Sequence, residues 1–494
     1  MTRFLGLRGS RLNYAALLGV VMPAIMSMGY NQGLLGGVLT LPWFEAQFPE
    51  IDVTHAHPSE KVHKSTLQGT VVALYAAGGL LGAIACIGLG DFLGRRRTII
   101  LASVTQMIGS FLMASSFGFA QLIVSRIFLG LGTGGQLATV PVWQSEISPT
   151  SKRGAHVGAT GIFVSMGLTL ALLVDLGMSY APNSASWRLP VALPIVFCLV
   201  VITFASHLPE SPRWLVRQGQ VSEAREVLSA LRDAGTDNEA VEKEILDVEA
   251  SLAIAGKGSL SQIFQMGHQR IFHRASLAVG GLILLQATGV NCITLYTAIY
   301  QLSGIFGGIL CVFTIEGFGR RVLMLSSAMA NTISMVLVAA LSSQTTNKVA
   351  MYAAVVFMFL FHFSMVAGFG GIPFLYASEV APLSLRTTIN GISSGIWWAL
   401  SVLIAEVTPI AFNAIGWKYF IVFACLNVAM IPIVYLFFPE TAGLSLEDID
   451  EVFIMATGCL DPVHVAKRMR NRSDDARAPK DLPSECKGNE TPNV

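Results

Sequence analysis

Asp91-Phe92-Leu93-Gly94-Arg95-Arg96 and, 225 positions later, Glu316-Gly317-Phe318-Gly319-Arg320-Arg321 carry one pattern: an acid, a glycine three places on, then two arginines. Outward from this pair the duplication continues. Ser145-Glu146-x-x-Pro149-x-x-x-Arg153 returns as Ser378-Glu379-x-x-Pro382-x-x-x-Arg386, displaced by 233, and Pro209-Glu210-Ser211 returns as Pro439-Glu440-Thr441, displaced by 230. Three acid-containing motifs in the same order and at nearly the same spacing mark an internal repeat, so the chain is read as two halves.

The composition says what kind of halves. Of 494 residues, 53% are apolar and only 13% are charged, with a mean hydropathy of +0.60. Soluble domains carry about 25% charged residues, and half that charge over so long a chain cannot cover a water-facing surface. The apolar share suffices for about twelve crossings of about 20 residues each. Glycine is plentiful at 47 residues, as in packed membrane helices. A net charge of +1 gives no basic field, which excludes nucleic acid as a main partner. Seven cysteines, five of them inside apolar runs, form neither a disulfide framework nor a metal-ligand cluster.

Apolar runs begin near Leu12, Thr66, Thr98, Ala120, Gly154 and Leu189, then near Ala275, Ile305, Val322, Ala350, Thr387 and Tyr419. The clusters Arg95-Arg96-Arg97, Lys152-Arg153, Arg213 with Arg217, Arg320-Arg321 and Arg386 fall in alternate gaps. The positive-inside rule makes those gaps cytoplasmic, with both termini inside and an even number of spans. The expected fold is therefore all-α, a polytopic membrane protein of twelve helices. Residues 1–208 form the first six-helix half, 209–273 a cytoplasmic linker, 274–438 the second half, and 439–494 a cytoplasmic tail. Helical spacing at 221–231 and 240–252 predicts amphipathic helices in the linker. After about residue 457 the tail is polar without apolar period and is expected to be disordered. Parallel halves of this kind are a transporter architecture, with a substrate site between them near mid-membrane.

Further motifs carry a resemblance. They are Gly29-Tyr-Asn31-Gln-Gly33, Arg126-x-x-x-Gly130-x-Gly132, Pro209-Glu-Ser-Pro-Arg213-Trp214, Gln286-x-x-Gly289-x-Asn291, and Pro373-Phe-Leu-Tyr-Ala-Ser-Glu379-Val-Ala-Pro382. With the repeated motifs, they resemble those of the sugar porter branch of the major facilitator superfamily, especially its fungal members, over about residues 12–455. The resemblance implies a carrier for a sugar or polyol-like solute that works by alternating access in the lipid bilayer. It implies no cofactor and no enzyme chemistry, and the plasma membrane is favoured over the vacuole. Nothing in the sequence speaks to oligomeric state.

The resemblance also assigns residues. A cytoplasmic gate would be formed by Asp91, Arg95, Arg96, Glu146, Arg153, Glu210 and Arg213 of the first half with Glu316, Arg320, Arg321, Glu379, Arg386 and Glu440 of the second. Charge-assisted Arg–carboxylate bonds are strong and geometry-dependent, so a small rocking motion can break them; the alternative is solvated interfacial charge that only sets orientation. As repeats of each other, Arg153 and Arg386 are expected to contribute alike. The implied substrate contacts are Gln286, Asn291, Tyr296, Phe374, Trp398 and Thr160. Gln286 and Asn291 lie about 140° apart around an ideal helix, so both face one pocket only if the helix bends, which Gly289 would permit. Helix–helix bonding is the other use of a membrane amide. Several family hydrogen-bonding groups are replaced: Leu285 and Leu295 stand for Gln and Tyr, Thr160-Gly161 for a Gln, Phe374 for a Trp, and Trp397 for an amide.

Two expectations concern coupling and length. Proton-coupled relatives carry Asp at the position of Asn31, near the Arg at position 126, so uncoupled transport is expected, with a proton symporter and a non-transporting sensor as alternatives. Asp175 and Glu406, the other acids in or beside the spans, read as hydrated interfacial carboxylates. Only 41 residues, 275–315, separate Arg274 from Glu316. Two spans are expected there, with Gln301-Leu302-Ser303-Gly304 as the turn and span 8 clipped near Ile305. A coding segment omitted between residues 296 and 316, leaving a poor or inactive carrier, is the simplest cause of such a shortage.

Overall fold

In the computed structural model, residues 4–57, 59–255, 260–290, 298–344 and 346–477 are described. All regular secondary structure among them is helical. Eleven helices are long and apolar enough to cross a bilayer. In the first half these are Gly9–Val38, Lys61–Phe92, Arg95–Ala114, Phe119–Ile147, Thr150–Met178 and Ala185–His207, here spans 1 to 6. In the second, Ile271–Ala287 (span 7, shorter at 17 residues) precedes Ala298–Phe318 (span 8), Arg320–Ser342 (span 9), Lys348–Val380 (span 10), Leu383–Phe412 (span 11) and Gly416–Phe437 (span 12). The two halves meet where span 2 packs on span 11 and span 5 on span 8.

Local chemistry sets the breaks. Gly94 and Gly319 precede spans 3 and 9 with φ of +87° and +92°, a left-handed backbone that glycine adopts without strain. Span 10 is interrupted at Gly370-Gly371, after which Pro373 sits in the first turn of Ile372–Val380, where its missing N–H costs no helical bond. The helix of span 7 is interrupted at Thr288-Gly289, with Gly289 at φ +93°, and Val290 is helical again at the edge of the described residues.

The chain shortage around spans 7 and 8 falls differently from expectation. The described helix of span 8 reaches back to Ala298, ahead of Ile305, where the sequence placed its start. Residues 301–304, read from sequence as a turn, are helical. Apolar runs alone could not show this, because Tyr300, Gln301 and Ser303 interrupt the hydrophobic signal on a buried face.

Under the membrane helices the linker forms Pro212–Arg217, Val221–Arg232 and Glu239–Ala255, close to the two helices read from periodicity. Leu228, Val241 and Ile245 close a small core between the last two. The tail departs from expectation: Leu446–Met455 is followed by a second helix, Asp461–Arg477, in a stretch expected to be disordered. Asp461 accepts the Thr457 backbone N–H at 3.0 Å just ahead of that helix, and Val465 and Ala466 are buried on one side of it. A polar average concealed these two anchoring residues. Residues 478–494 lie outside the described chain.

Candidate functional site

The repeated motifs converge in one layer at the inner ends of the helices. Arg95, buried, donates through Nε and Nη2 to the two oxygens of Glu146 at 3.0 and 3.3 Å. In the second half, buried Arg320 donates to Glu379 at 2.9 Å and to Glu316 at 3.0 Å. Glu210 accepts the backbone N–H groups of Arg95 and Arg96 at 3.0 and 3.1 Å, and Glu440 accepts those of Arg320 and Arg321 at 2.9 and 3.0 Å. Each carboxylate thus caps the positive end of a helix dipole. Glycine is required here twice over, because a Cβ at Gly94 would lie 2.6 Å from Glu210 Oε2, and one at Gly319 would overlap Glu440. Arg96 and Arg321 turn outward to the carbonyls of Leu208 and Tyr435.

Bonds between the halves run through the same layer. Arg386 donates to Glu146 Oε1 at 3.2 Å, Thr387 to Asp91 at 2.8 Å, and the Ala155 backbone N–H to Glu316 Oε1 at 3.1 Å. Arg153, the first-half counterpart of Arg386, meets no carboxylate. It donates to the Leu444 carbonyl at 3.4 Å, while Thr441 occupies the free oxygen of Glu379 at 2.7 Å. Arg213 reaches across three parts of the chain. It donates to the Glu146 carbonyl at 3.0 Å and to Glu447 of the tail helix at 3.0 Å, and lies 3.9 Å from Glu244 of the linker. Burial pushes the Glu447 carboxyl up, but the Arg213 guanidinium and a backbone N–H outweigh it and hold the group below its ordinary value.

Above this layer the halves enclose a cavity of about 70 Å³. Gln32 of span 1, Ser165 of span 5, Gln301 of span 8 and His362 of span 10 supply its polar wall; Leu285, Phe374 and Trp397 supply apolar surface. Of the six substrate contacts implied by sequence, Phe374 alone lines it among the described residues. Gln286 is spent on span 11, donating to the Trp397 carbonyl at 2.9 Å and to Ser401. Thr160 donates to Val157 in its own helix at 2.6 Å. Trp398 packs edge-on against Tyr75, 5.3 Å between ring centroids, and against Trp397 at 4.8 Å. Asn291 and Tyr296 lie outside the described residues.

Asn31 and Arg126 are both buried. The Asn31 amide donates to the Ser27 carbonyl at 2.8 Å. Arg126 donates to the Val71 and Val72 carbonyls at 3.2 and 3.3 Å and lies 4.9 Å from the Tyr75 ring centroid, with no ion pair to an acid among the described residues. Glu406 is exposed, but Asp175 is not the hydrated carboxylate expected. It is buried against span 1, where a Cβ on Gly37 would lie 2.5 Å from its Oδ2, and among the described residues neither oxygen has a hydrogen-bond partner.

Residues 17–453 match the protein family described as "Sugar (and other) transporter". The chain belongs to this family. Among the relatives of this sugar transporter family member, Sugar transporter STL1 of Saccharomyces cerevisiae is 32% identical over 477 residues, covering 91% of this chain and 83% of that one. The MFS-type transporter oryC of Aspergillus oryzae is 31% identical over 480 residues, covering 91% and 87%. Among solved structures, the xylose transporter XylE from E. coli, described as a proton:xylose symporter, superposes with a TM-score of 0.78 at 19% identity, covering 90% of this chain and 100% of that chain. The protein is thus a multi-pass integral membrane protein of the major facilitator fold, in a family of transporters and not enzymes.

Against this family frame, sequence reasoning found the charged layer but missed Glu447, Glu244, Thr387 and the cavity residues Gln32, Ser165, Gln301 and His362. Glu447 lies in the tail stretch Leu446–Phe453, and its position relative to the buried Arg213 needed the fold. The cavity residues had one usable signal: Gln301 is an amide inside an apolar run, and such groups in membrane helices need a partner or a use.

Proposed function

We propose that this chain carries a neutral sugar or polyol-like solute across the membrane by alternating access, without coupling to protons. The observation that supports it best is the pairing of an uncharged cavity between the halves with a cytoplasmic layer whose bonds cross from one half to the other at Arg386–Glu146, Thr387–Asp91 and Ala155–Glu316. Such a layer closes the inner side and can open by rocking of one half against the other. Both termini are taken as cytosolic, from the alternation of basic clusters, with the plasma membrane as the site of action.

The absence of coupling rests on Asn31, which cannot gain or lose a proton, and on the carbonyl and ring partners of Arg126. Uptake of labelled D-glucose, D-xylose, D-fructose and D-sorbitol into transporter-deficient cells tests both claims. Uptake of at least one is expected to equilibrate and to be insensitive to an uncoupler. One observation favours a second reading, proton-coupled transport: Asp175 is a buried, unpartnered carboxyl, and an intramembrane acid of that kind marks a proton path in pumps and transporters. Accumulation that collapses with an uncoupler, and is abolished in Asp175→Asn while equilibrative exchange persists, would establish it.

A further inference from the structure

Gln301 sits on span 8 with its side chain on the wall of the cavity, fully buried. Among the described residues, neither Oε1 nor Nε2 has a hydrogen-bond partner. Other buried amides in the helices are used: Gln106 donates to Ser27 at 2.7 Å, Gln136 to Ser103 at 2.9 Å, and Asn331 accepts from Ser364 at 2.6 Å. A buried amide left without any bond costs the desolvation of both its polar atoms, and native proteins rarely keep one without a use.

Its neighbours complete a set. The His362 ring stacks on Tyr300 at 4.3 Å between centroids, and its Nδ1 lies 3.1 Å from the Tyr300 carbonyl and 3.2 Å from Ser303 Oγ. A carbonyl only accepts, so Nδ1 carries the proton, and in the neutral ring Nε2 is left as an acceptor. Gly304, one turn after Gln301, draws the wall together: a Cβ there would lie 2.5 Å from His362 Cε1 and 2.6 Å from Ser165 Oγ. Spans 5, 8 and 10 therefore bring a hydroxyl, an amide and an imidazole to the wall of one cavity, whose lining also includes the apolar surface of Leu285, Phe374 and Trp397.

We infer that Gln301, with His362 and Ser165, is the hydroxyl-reading subsite of this carrier and takes a neutral polyhydroxylated solute. The inference rests on the transport reading above and adds where specificity lies. A hydroxyl donates once and accepts as well, so it needs both a donor and an acceptor, which the amide of Gln301 and Nε2 of His362 supply on the wall of the same cavity. Among the described residues, no lining residue is an acid, Lys or Arg, so a charged solute would enter unpaired. The apolar side suits the C–H face of a sugar or polyol chain.

The test is binding by the purified full-length protein, read as affinity and as ligand-induced thermal shift, for D-glucose, D-xylose, D-fructose and D-sorbitol. Gln301→Met and His362→Phe keep volume and ring stacking while removing the hydrogen-bonding atoms. Each should lower affinity for whichever probe the wild type binds by roughly tenfold or more, and Gln301→Asn should retain part of it. In the absence of probe, Gln301→Met should melt at the wild-type temperature or above it, because it removes an unpartnered polar group. Wild-type binding of a probe with unchanged affinity in both variants overturns the subsite and leaves the transport reading standing. A marked loss of stability in probe-free Gln301→Met would make the residue structural and also overturns it. Failure of the folded wild type to bind or carry any of the four probes would sink the transport reading itself.

Discussion

The two halves of this transporter carry the same inner-end residues and use them differently. Within each half the copies match: Arg95–Glu146 answers Arg320–Glu379, and Glu210 and Glu440 cap equivalent helices. Between the halves they part, since Arg386 bonds Glu146 whereas Arg153 ends on the Leu444 carbonyl and Glu379 takes Thr441 instead. A repeat in sequence therefore specifies the fold of each half, while the interface is free to be asymmetric. The acid at 146 serves two arginines and the acid at 379 one.

That difference is open to direct attack. Glu146→Gln leaves Arg95 only the longer 3.5 Å pair with Asp91 and takes the carboxylate from buried Arg386, and breaking a buried ion pair costs about 3–5 kcal/mol. Glu379→Gln leaves Arg320 with Glu316 and breaks no bond between halves. Glu146→Gln should therefore abolish net uptake and expose the inner cavity to cytosolic thiol reagents, with Glu379→Gln clearly milder. Equal effects would mean that the asymmetry does not govern closure.

The arginines follow at smaller amplitude. Arg386→Ala forfeits a charged hydrogen bond across the halves, about 1.5–3 kcal/mol, or roughly a ten- to hundredfold shift toward inward-open states. Arg153→Ala loses one carbonyl bond of 3.4 Å, about 1 kcal/mol at most. This revises the expectation, drawn from the repeat alone, that both contribute alike. Uptake in cells with matched surface delivery checks it, and indistinguishable defects would restore the symmetric view.

Where the halves do match, substitutions should too. Gly94→Ala and Gly319→Ala both force a left-handed residue, about 1–2 kcal/mol, against the Glu210 and Glu440 caps. Both should lose thermal stability by similar amounts in the purified protein. A defect confined to one would show that the caps are not equivalent.

How legible all this was depends on the kind of signal. Charge in a membrane protein is expensive and sparse, so the repeated-motif acids and arginines of the inner layer could be named from sequence, and the spans followed from apolar length. Pairing was hidden, because Glu447 meets Arg213 only after the linker and tail fold under the bundle, and Thr387 meets Asp91 only where spans 2 and 11 pack. The cavity was hidden by helical phase: Gln301 belonged to a segment read as a turn, and Gln286, the stronger motif residue, bonds span 11 instead. Part of the repeat also went unread. Gln106 and Asn331 are again 225 positions apart, and both bond a serine of a neighbouring helix.

The smallest effect concerns the Arg213–Glu447 bond, which ties the first half to the tail helix and has no counterpart in the repeat. The Glu447 carboxyl is held below its ordinary value, chiefly because Arg213 offsets the penalty of burial. A carboxyl depressed in the folded state adds stability above its ordinary range, about 4.3 for Glu, and loses that contribution as pH falls through the depressed value. Melting of the purified wild type should thus be insensitive to this bond between pH 5 and 8. Glu447→Gln should lower the melting temperature by the same few degrees at both ends of that window. If its effect instead faded toward pH 5, the carboxyl would already be taking up its proton there, and Arg213 would not be the group that holds it ionised.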